Sequence, residues 1–120
     1  SYTTFEYSDL RAIPPKGESS VAAFEVAVKN SGNVSGKEIV QGYVGSSSSQ
    51  IERPNKELKK FDKVFLAPGE SKKVIFELSE RDLSFWNVET NTWQVEPAEY
   101  IFSIGSSATD IKETVSVWLG

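Results

Sequence analysis

The sequence predicts an all-β fold, an antiparallel sandwich, on three observations. Apolar residues recur with a period of two in short runs, turn-forming residues separate those runs, and no stretch keeps a helical period for long. The run from Val21 to Lys29 shows the pattern plainly. Ala22, Phe24, Val26 and Val28 fall on one face, with Glu25 and Lys29 on the other, as in a strand with one face against a core. Asn30-Ser31-Gly32-Asn33-Val34-Ser35-Gly36 follows. These residues tolerate positive φ and bond their own backbone, so a hairpin connection is expected there.

Lys37 to Gly45 returns as the next strand. Val40 and Val44 share one face, while Ile39 and Tyr43 are apolar on the other with Gln41 between them, so both faces are expected to be covered. Ser46 to Gln50 is polar, and Ile51 to Lys56 contains Pro54, which cannot donate to a ladder; this is the longest expected loop. Leu58 to Leu66 carries Phe61, Val64, Phe65 and Leu66 with parity broken around Asp62, predicting a bulge or an edge strand whose lysines oppose edge-to-edge pairing. Pro68-Gly69 predicts a turn, with Pro presetting φ at the first corner and Gly accepting positive φ at the second.

Val74, Phe76 and Leu78 alternate with Lys73, Ile75 and Glu77 in the following strand. Ser79 with Asp82 three positions later predicts a capped single helical turn. Phe85 to Val88 and Thr92 to Val95 flank Glu89-Thr90-Asn91 and predict a hairpin. Tyr100, Phe102 and Ile104 alternate with Ile101 and Ser103; a loop is expected at Gly105-Ser106-Ser107, and Val115, Val117 and Leu119 alternate in a last strand. About seven or eight short strands in 120 residues fit one immunoglobulin-like or fibronectin type III-like sandwich domain over residues 1–120.

Composition narrows the chemistry. A net charge of −4 and a pI near 4.9 oppose capture of nucleic acid or anionic lipid. The basic cluster Lys56, Lys59, Lys60 and Lys63 is interrupted by Glu57 and Asp62 and reads as a solvated strand face. No apolar run approaches the roughly 20 residues that span a bilayer as a helix. There is neither a basic segment leading into an apolar one nor an initiator Met, so a signal peptide is not expected and Ser1 reads as a cut in a longer polypeptide. With no His and no Cys, a His-activated nucleophile, a thiolate and a His or Cys zinc site are all excluded, and neither cofactor nor metal is expected.

From Ser1 onward a set of ordered motifs covers nearly the whole chain. They are Ser1-Tyr2-Thr3-Thr4-Phe5, Val28-Lys29-Asn30-Ser31-Gly32 with Gly36, and Glu38-Ile39-Val40-Gln41-Gly42-Tyr43-Val44. Arg53-Pro54-Asn55-Lys56-Glu57-Leu58-Lys59 with Phe61, Leu66-Ala67-Pro68-Gly69-Glu70-Ser71, Asp82-Leu83-Ser84-Phe85, Trp93, Tyr100 and Gly105-Ser106-Ser107 with Asp110-Ile111 complete the order. Together they resemble the C-terminal fibronectin type III-like domain of family 3 glycoside hydrolases, the β-glucosidases and β-xylosidases. Gly42 stands where that family commonly has a larger apolar residue, and Ala98 where it often has Gly. In the family, an aspartate nucleophile on a barrel domain and a glutamate acid/base on a second α/β domain carry the chemistry. The resemblance therefore implies a non-catalytic accessory domain that packs against catalytic domains. The interface candidates are Ile39, Gln41, Tyr43, Arg53, Pro54 and Lys56.

Other side chains are candidates for binding or catalysis. Glu96 with Glu99, or Glu80 with Asp82, are the sequence-near carboxylate pairs a glycosidase could use, but they read as turn and capping acids. Trp86 and Trp93 are the candidates for stacking on a polysaccharide or another plant-wall polymer, ahead of Trp118 and Tyr43. Tyr100 reads as a tyrosine corner, its hydroxyl tied to backbone. Arg53 has the planar fork suited to a carboxylate partner, and Asn33-Val34-Ser35 matches a glycosylation sequon within a turn.

Overall fold

The computed structural model describes residues 3–46 and 57–120. Its strands are β1 (Phe5–Ile13), β2 (Ser20–Asn30), β3 (Gly36–Ser46), β4 (Glu57–Leu66), β5 (Ser71–Ser79), β6 (Phe85–Asn87), β7 (Thr92–Gln94), β8 (Ala98–Ser107) and β9 (Asp110–Leu119), with one helical turn, α1 (Glu80–Leu83). Seven strands make two antiparallel sheets, ordered β1-β2-β5 and β4-β3-β8-β9, and β6 and β7 form a separate hairpin. The inward faces are those the alternation marked. Phe24, Val26, Val28, Val74, Phe76 and Leu78 of the first sheet meet Val40, Val64, Leu66, Tyr100, Phe102 and Ile104 of the second. At the centre, the rings of Phe24 and Phe102 stack across the sandwich with centroids 4.2 Å apart, and Phe76 tilts onto Phe102 at 6.0 Å.

The segment expected to be a hairpin at residues 30–36 is instead a crossover. β2 pairs with β1 and β5, whereas β3 pairs with β4 and β8, so the chain leaves one sheet and enters the other there. Asn30 makes this possible. Its fully buried amide donates to the carbonyls of Val34 (2.8 Å) and Leu66 (2.9 Å) and accepts from Thr3 Oγ1 (2.8 Å) and the Gly32 N–H (2.9 Å). Its backbone N–H donates to Glu70 O at 2.9 Å and its carbonyl accepts from Gly69 N at 2.8 Å. Its side chain thus ties the crossover to the entry of β1 and the end of β4, and its backbone ties it to the next turn. That next turn is the one Pro68-Gly69 predicts: Gly69 has φ 79°, and Glu70 N donates to Ala67 O at 2.9 Å.

β1 lacks a clean alternation for a local reason. Asp9 has φ 59° and the pairing with β2 shifts between Ser8 and Arg11, a bulge that moves the inward parity from Phe5 and Tyr7 to Leu10. Glu113 of β9 holds the bulge, accepting from Leu10 N at 2.8 Å. Tyr7 donates to Glu38 Oε2 at 3.0 Å, and burial, followed by the Glu38 carboxylate, pushes its phenol far above the ordinary tyrosine value. Elsewhere the bulge expected around Asp62 lies three residues earlier, opposite Gly42 and Tyr43, and β4 is indeed an edge strand of its sheet. Gly105-Ser106-Ser107, expected as a loop, is strand. β8 runs to Ser107 with irregular register around Gly105, where a Cβ would sit 2.2 Å from Asp110 O.

Two expectations at the far end are met closely. Ser79 Oγ accepts from Asp82 N at 3.2 Å and Asp82 Oδ2 accepts from Ser79 N at 2.8 Å, a complete capping box on α1. Tyr100, 2% exposed, donates to Glu96 O at 2.7 Å as a tyrosine corner.

Candidate functional site

The two outer sheet faces differ in chemistry. On β1-β2-β5, Arg11 Nη2 lies 2.5 Å from the Glu25 carboxylate, which Lys73 approaches at 3.8 Å, and small Ala23 and Ala27 flank the pair on β2. Glu25 is buried despite its outward position because those cations compensate its desolvation. A shallow cleft of about 350 Å³ lies there between Asp9, Arg11, Glu25, Ala27 and Lys73. Glu77 Oε1 accepts from Gly17 N and Lys16 N, both at 2.9 Å, and these bonds hold its carboxyl below the usual range. The polar cluster around Glu25 is internally satisfied, with Ile75 beside it as an exposed apolar side chain.

The outer face of β4-β3-β8-β9 exposes more large apolar side chains, most of them on β4 and β3. The register places Phe65 opposite Lys37, Lys63 opposite Ile39 and Phe61 opposite Gln41, while their neighbours Val64 and Leu66 point into the core. Phe65 is 72% exposed, Phe61 63%, Leu58 49% and Ile39 40%. Trp118, opposite Glu99 on the far strand, is 63% exposed. Of the sequence-derived interface candidates, Ile39 is exposed and Gln41 half-buried on this face. Tyr43 is buried and donates to Gln41 Oε1. Arg53, Pro54 and Lys56 lie outside the described residues. Phe61 and Phe65 were missed as interface candidates. Their signal was present in the odd-numbered positions of β4, where two aromatics bracket Lys63 on the face opposite Val64 and Leu66.

The aromatic hairpin sits apart from that face. Trp86 and Trp93 are a cross-strand pair on β6 and β7, about half exposed, with ring centroids 5.5 Å apart and planes at 72°. The Arg81 guanidinium from α1 covers the Trp93 ring at 3.7 Å. The two indoles therefore do not share one flat platform, and one face of Trp93 is already occupied. Asn87 holds the hairpin turn, its Oδ1 accepting from Glu89 N at 2.9 Å and its Nδ2 donating to Gln94 Oε1 at 2.8 Å.

Of the sequence-near carboxylates, Asp82 is engaged in the capping box and with Lys60. Burial raises the Asp82 carboxyl, but the Ser79 N–H and the Lys60 ammonium at 3.3 Å outweigh it and hold Asp82 below the usual range. Glu80 lies in the first turn of α1, and the Glu96 carbonyl anchors Tyr100. Among the described residues no group of three or more acidic side chains could hold a metal ion.

Comparison with known proteins matches residues 38–108 to the fibronectin type III-like domain. The chain is 47% identical, over 98% of its length, to thermostable β-glucosidase B of Acetivibrio thermocellus, and 42% identical, over 99%, to an exo-α-(1→6)-L-arabinopyranosidase of Bifidobacterium breve; it spans 16% of each. A crystal structure of a GH3 β-glucosidase from Bifidobacterium adolescentis superimposes with a TM-score of 0.89 at 36% identity, covering 98% of this chain and 17% of that one. The chain belongs to the fibronectin type III-like domain family.

Proposed function

We propose that residues 1–120 form one non-catalytic accessory domain of a β-glucosidase-type glycoside hydrolase, packing against and supporting its catalytic domains. The observation that carries this reading is the asymmetry of the sheets. One outer face carries the Arg11–Glu25–Lys73 cluster with Ile75 as an exposed apolar side chain, and the other exposes Phe61, Phe65 and Ile39 side by side on β4 and β3. Apolar patches of that kind mark interaction surfaces in soluble proteins. The chain spans only 16% of its relatives, which leaves a large polypeptide to cover the patch. Relatives named for different sugars keep this domain at 47% and 42% identity, which fits a supporting role more than a specificity-setting one.

Assaying the isolated chain against aryl β-glucosides tests the non-catalytic part. No turnover is expected, and turnover that survives repurification overturns it. Support of the catalytic domains is tested in the full-length enzyme, where Phe65→Ser is expected to lower the inactivation temperature while leaving KM unchanged.

A second reading, binding of a plant-wall polysaccharide, draws on the half exposure of Trp86 and Trp93. Their T-shaped packing and the Arg81 cover leave it the weaker of the two. Retention on insoluble glucan that is lost in a folded Trp93→Ala variant would support it, and no retention by the parent chain would remove it.

A further inference from the structure

The β3-β4 half of the apolar face carries a charge pattern of its own. Its outward positions on β4 are Phe61, Lys63 and Phe65, and those facing them on β3 are Gln41, Ile39 and Lys37. No acidic side chain stands among these six. Lys37 and Lys63 are exposed, and among the described residues neither pairs with a carboxylate, whereas Lys60 of the same strand turns to Asp82 and Lys59 to Glu57. A lysine held between two exposed aromatic rings would lose hydration if an apolar surface closed over it, which is costly unless the covering surface brings an opposite charge.

Two strands about 4.8 Å apart and about ten residues long at about 3.3 Å per residue present roughly 300 Å² in projection. That is under half of the roughly 800 Å² per partner in a standard interface, so β3-β4 supplies one part of a larger contact.

We infer that the outer face of β3-β4 is covered, in the full-length polypeptide, by an apolar surface of another domain bearing carboxylates that pair with Lys37 and Lys63. This rests on the accessory-domain reading above and adds the chemistry of the partner surface to it. The aromatics supply the buried area and the lysines fix the orientation, since a like-charged or uncharged alternative docking would strand a desolvated ammonium.

The test uses the full-length enzyme and a carbodiimide, which joins a lysine to a carboxylate in contact with it. Mass spectrometry is expected to find Lys37 or Lys63 linked to an Asp or Glu outside residues 1–120, and Lys37→Gln with Lys63→Gln to lose those links. Links confined to residues 1–120, or none from either lysine, overturn the inference. Phe61→Ser with Phe65→Ser, in the same enzyme, separately reports the packing. Faster release of the domain by limited proteolysis is expected, with an unchanged melting temperature for the isolated chain because both rings are exposed there. Faster release without lysine cross-links leaves the packing standing and overturns the carboxylate partner. Unchanged release overturns docking through this face altogether.

Discussion

Asn30→Ala should be among the most damaging single substitutions in this domain, although the residue sits in a segment that looks like an ordinary turn. The amide makes four side-chain hydrogen bonds of 2.8 to 2.9 Å, and the residue is 0% exposed. A net hydrogen bond contributes about 0.5–1.5 kcal/mol, while a buried polar group left without its partner costs about 1–3 kcal/mol. Only the bond to Leu66 O is buried at both ends; water can reach the Thr3, Gly32 and Val34 groups once the amide is gone. Assigning about 2 kcal/mol to the Leu66 bond and about 0.5 to each of the others brings the loss to about 3 to 4 kcal/mol. For a chain of this size that is a fall in Tm of about 12 to 16 °C. It also removes a large share of the roughly 5–15 kcal/mol that holds such a domain together. The two backbone bonds of Asn30 survive the change, so the variant should still fold at low temperature. Urea denaturation followed by circular dichroism measures the loss. Asn30→Asp keeps the size and the Oδ1 oxygen that accepts from Thr3 and Gly32, but points a second carboxylate oxygen at two carbonyls, and it should be at least as unstable at neutral pH. A loss below about 1 kcal/mol for Asn30→Ala would refute the view that this amide fastens the crossover between the sheets.

Other substitutions probe the packing. A Cβ at Gly42 would sit 2.7 Å from Phe102 Cζ, and that ring is pinned on Phe24, so Gly42→Val should cost about 1–3 kcal/mol. Adding Phe102→Leu should recover part of that loss in a double-mutant cycle, and strictly additive costs would disprove the coupling. Tyr100→Phe removes the 2.7 Å bond to Glu96 O and should lower stability by about 1 kcal/mol, read from the urea midpoint; an unchanged midpoint would deny the corner a stabilising role. Glu77, Asp82 and Asp110 all have folded carboxyl pKa values below their ordinary ones, Asp110 chiefly through the Ser106 hydroxyl and Lys112. Their contribution is therefore present above the unfolded carboxylate range near pH 4 and is lost as pH falls through the lower folded values. Glu77→Gln with Asp82→Asn should flatten stability against pH below about 4, and an unaltered acid limb would contradict the assignment.

The departure of Gly42 from the commoner larger residue has a physical account in the same packing. The space a side chain would take on β3 is filled by Phe102 reaching across from β8 to stack on Phe24. Ala98 likewise stands fully buried at the start of β8, where its methyl joins the core.

What the sequence determined by itself was local. The faces of β2, β5, β8 and β9, the Pro68-Gly69 turn, the Ser79–Asp82 capping box and the tyrosine corner at Tyr100 all follow from contacts within a few residues or from a period of two, and each is written in the order of the side chains. The ordered motifs carried the family in the same way. Beyond the β6-β7 hairpin, tertiary structure alone decided which strands pair. The segment from Asn30 to Gly36 reads as a hairpin because turn chemistry is the same whether the chain doubles back in its own sheet or crosses to the facing one. The choice was made by a buried amide that reaches Thr3 and Leu66, far away in sequence. The β1 bulge at Asp9 hid its strand for a similar reason, since one positive φ shifts the inward parity and erases the alternation. The two-sided character of β3 was visible in Ile39 and Tyr43, but only the register against β4 showed that Phe61 and Phe65 extend the exposed face while Tyr43 is covered.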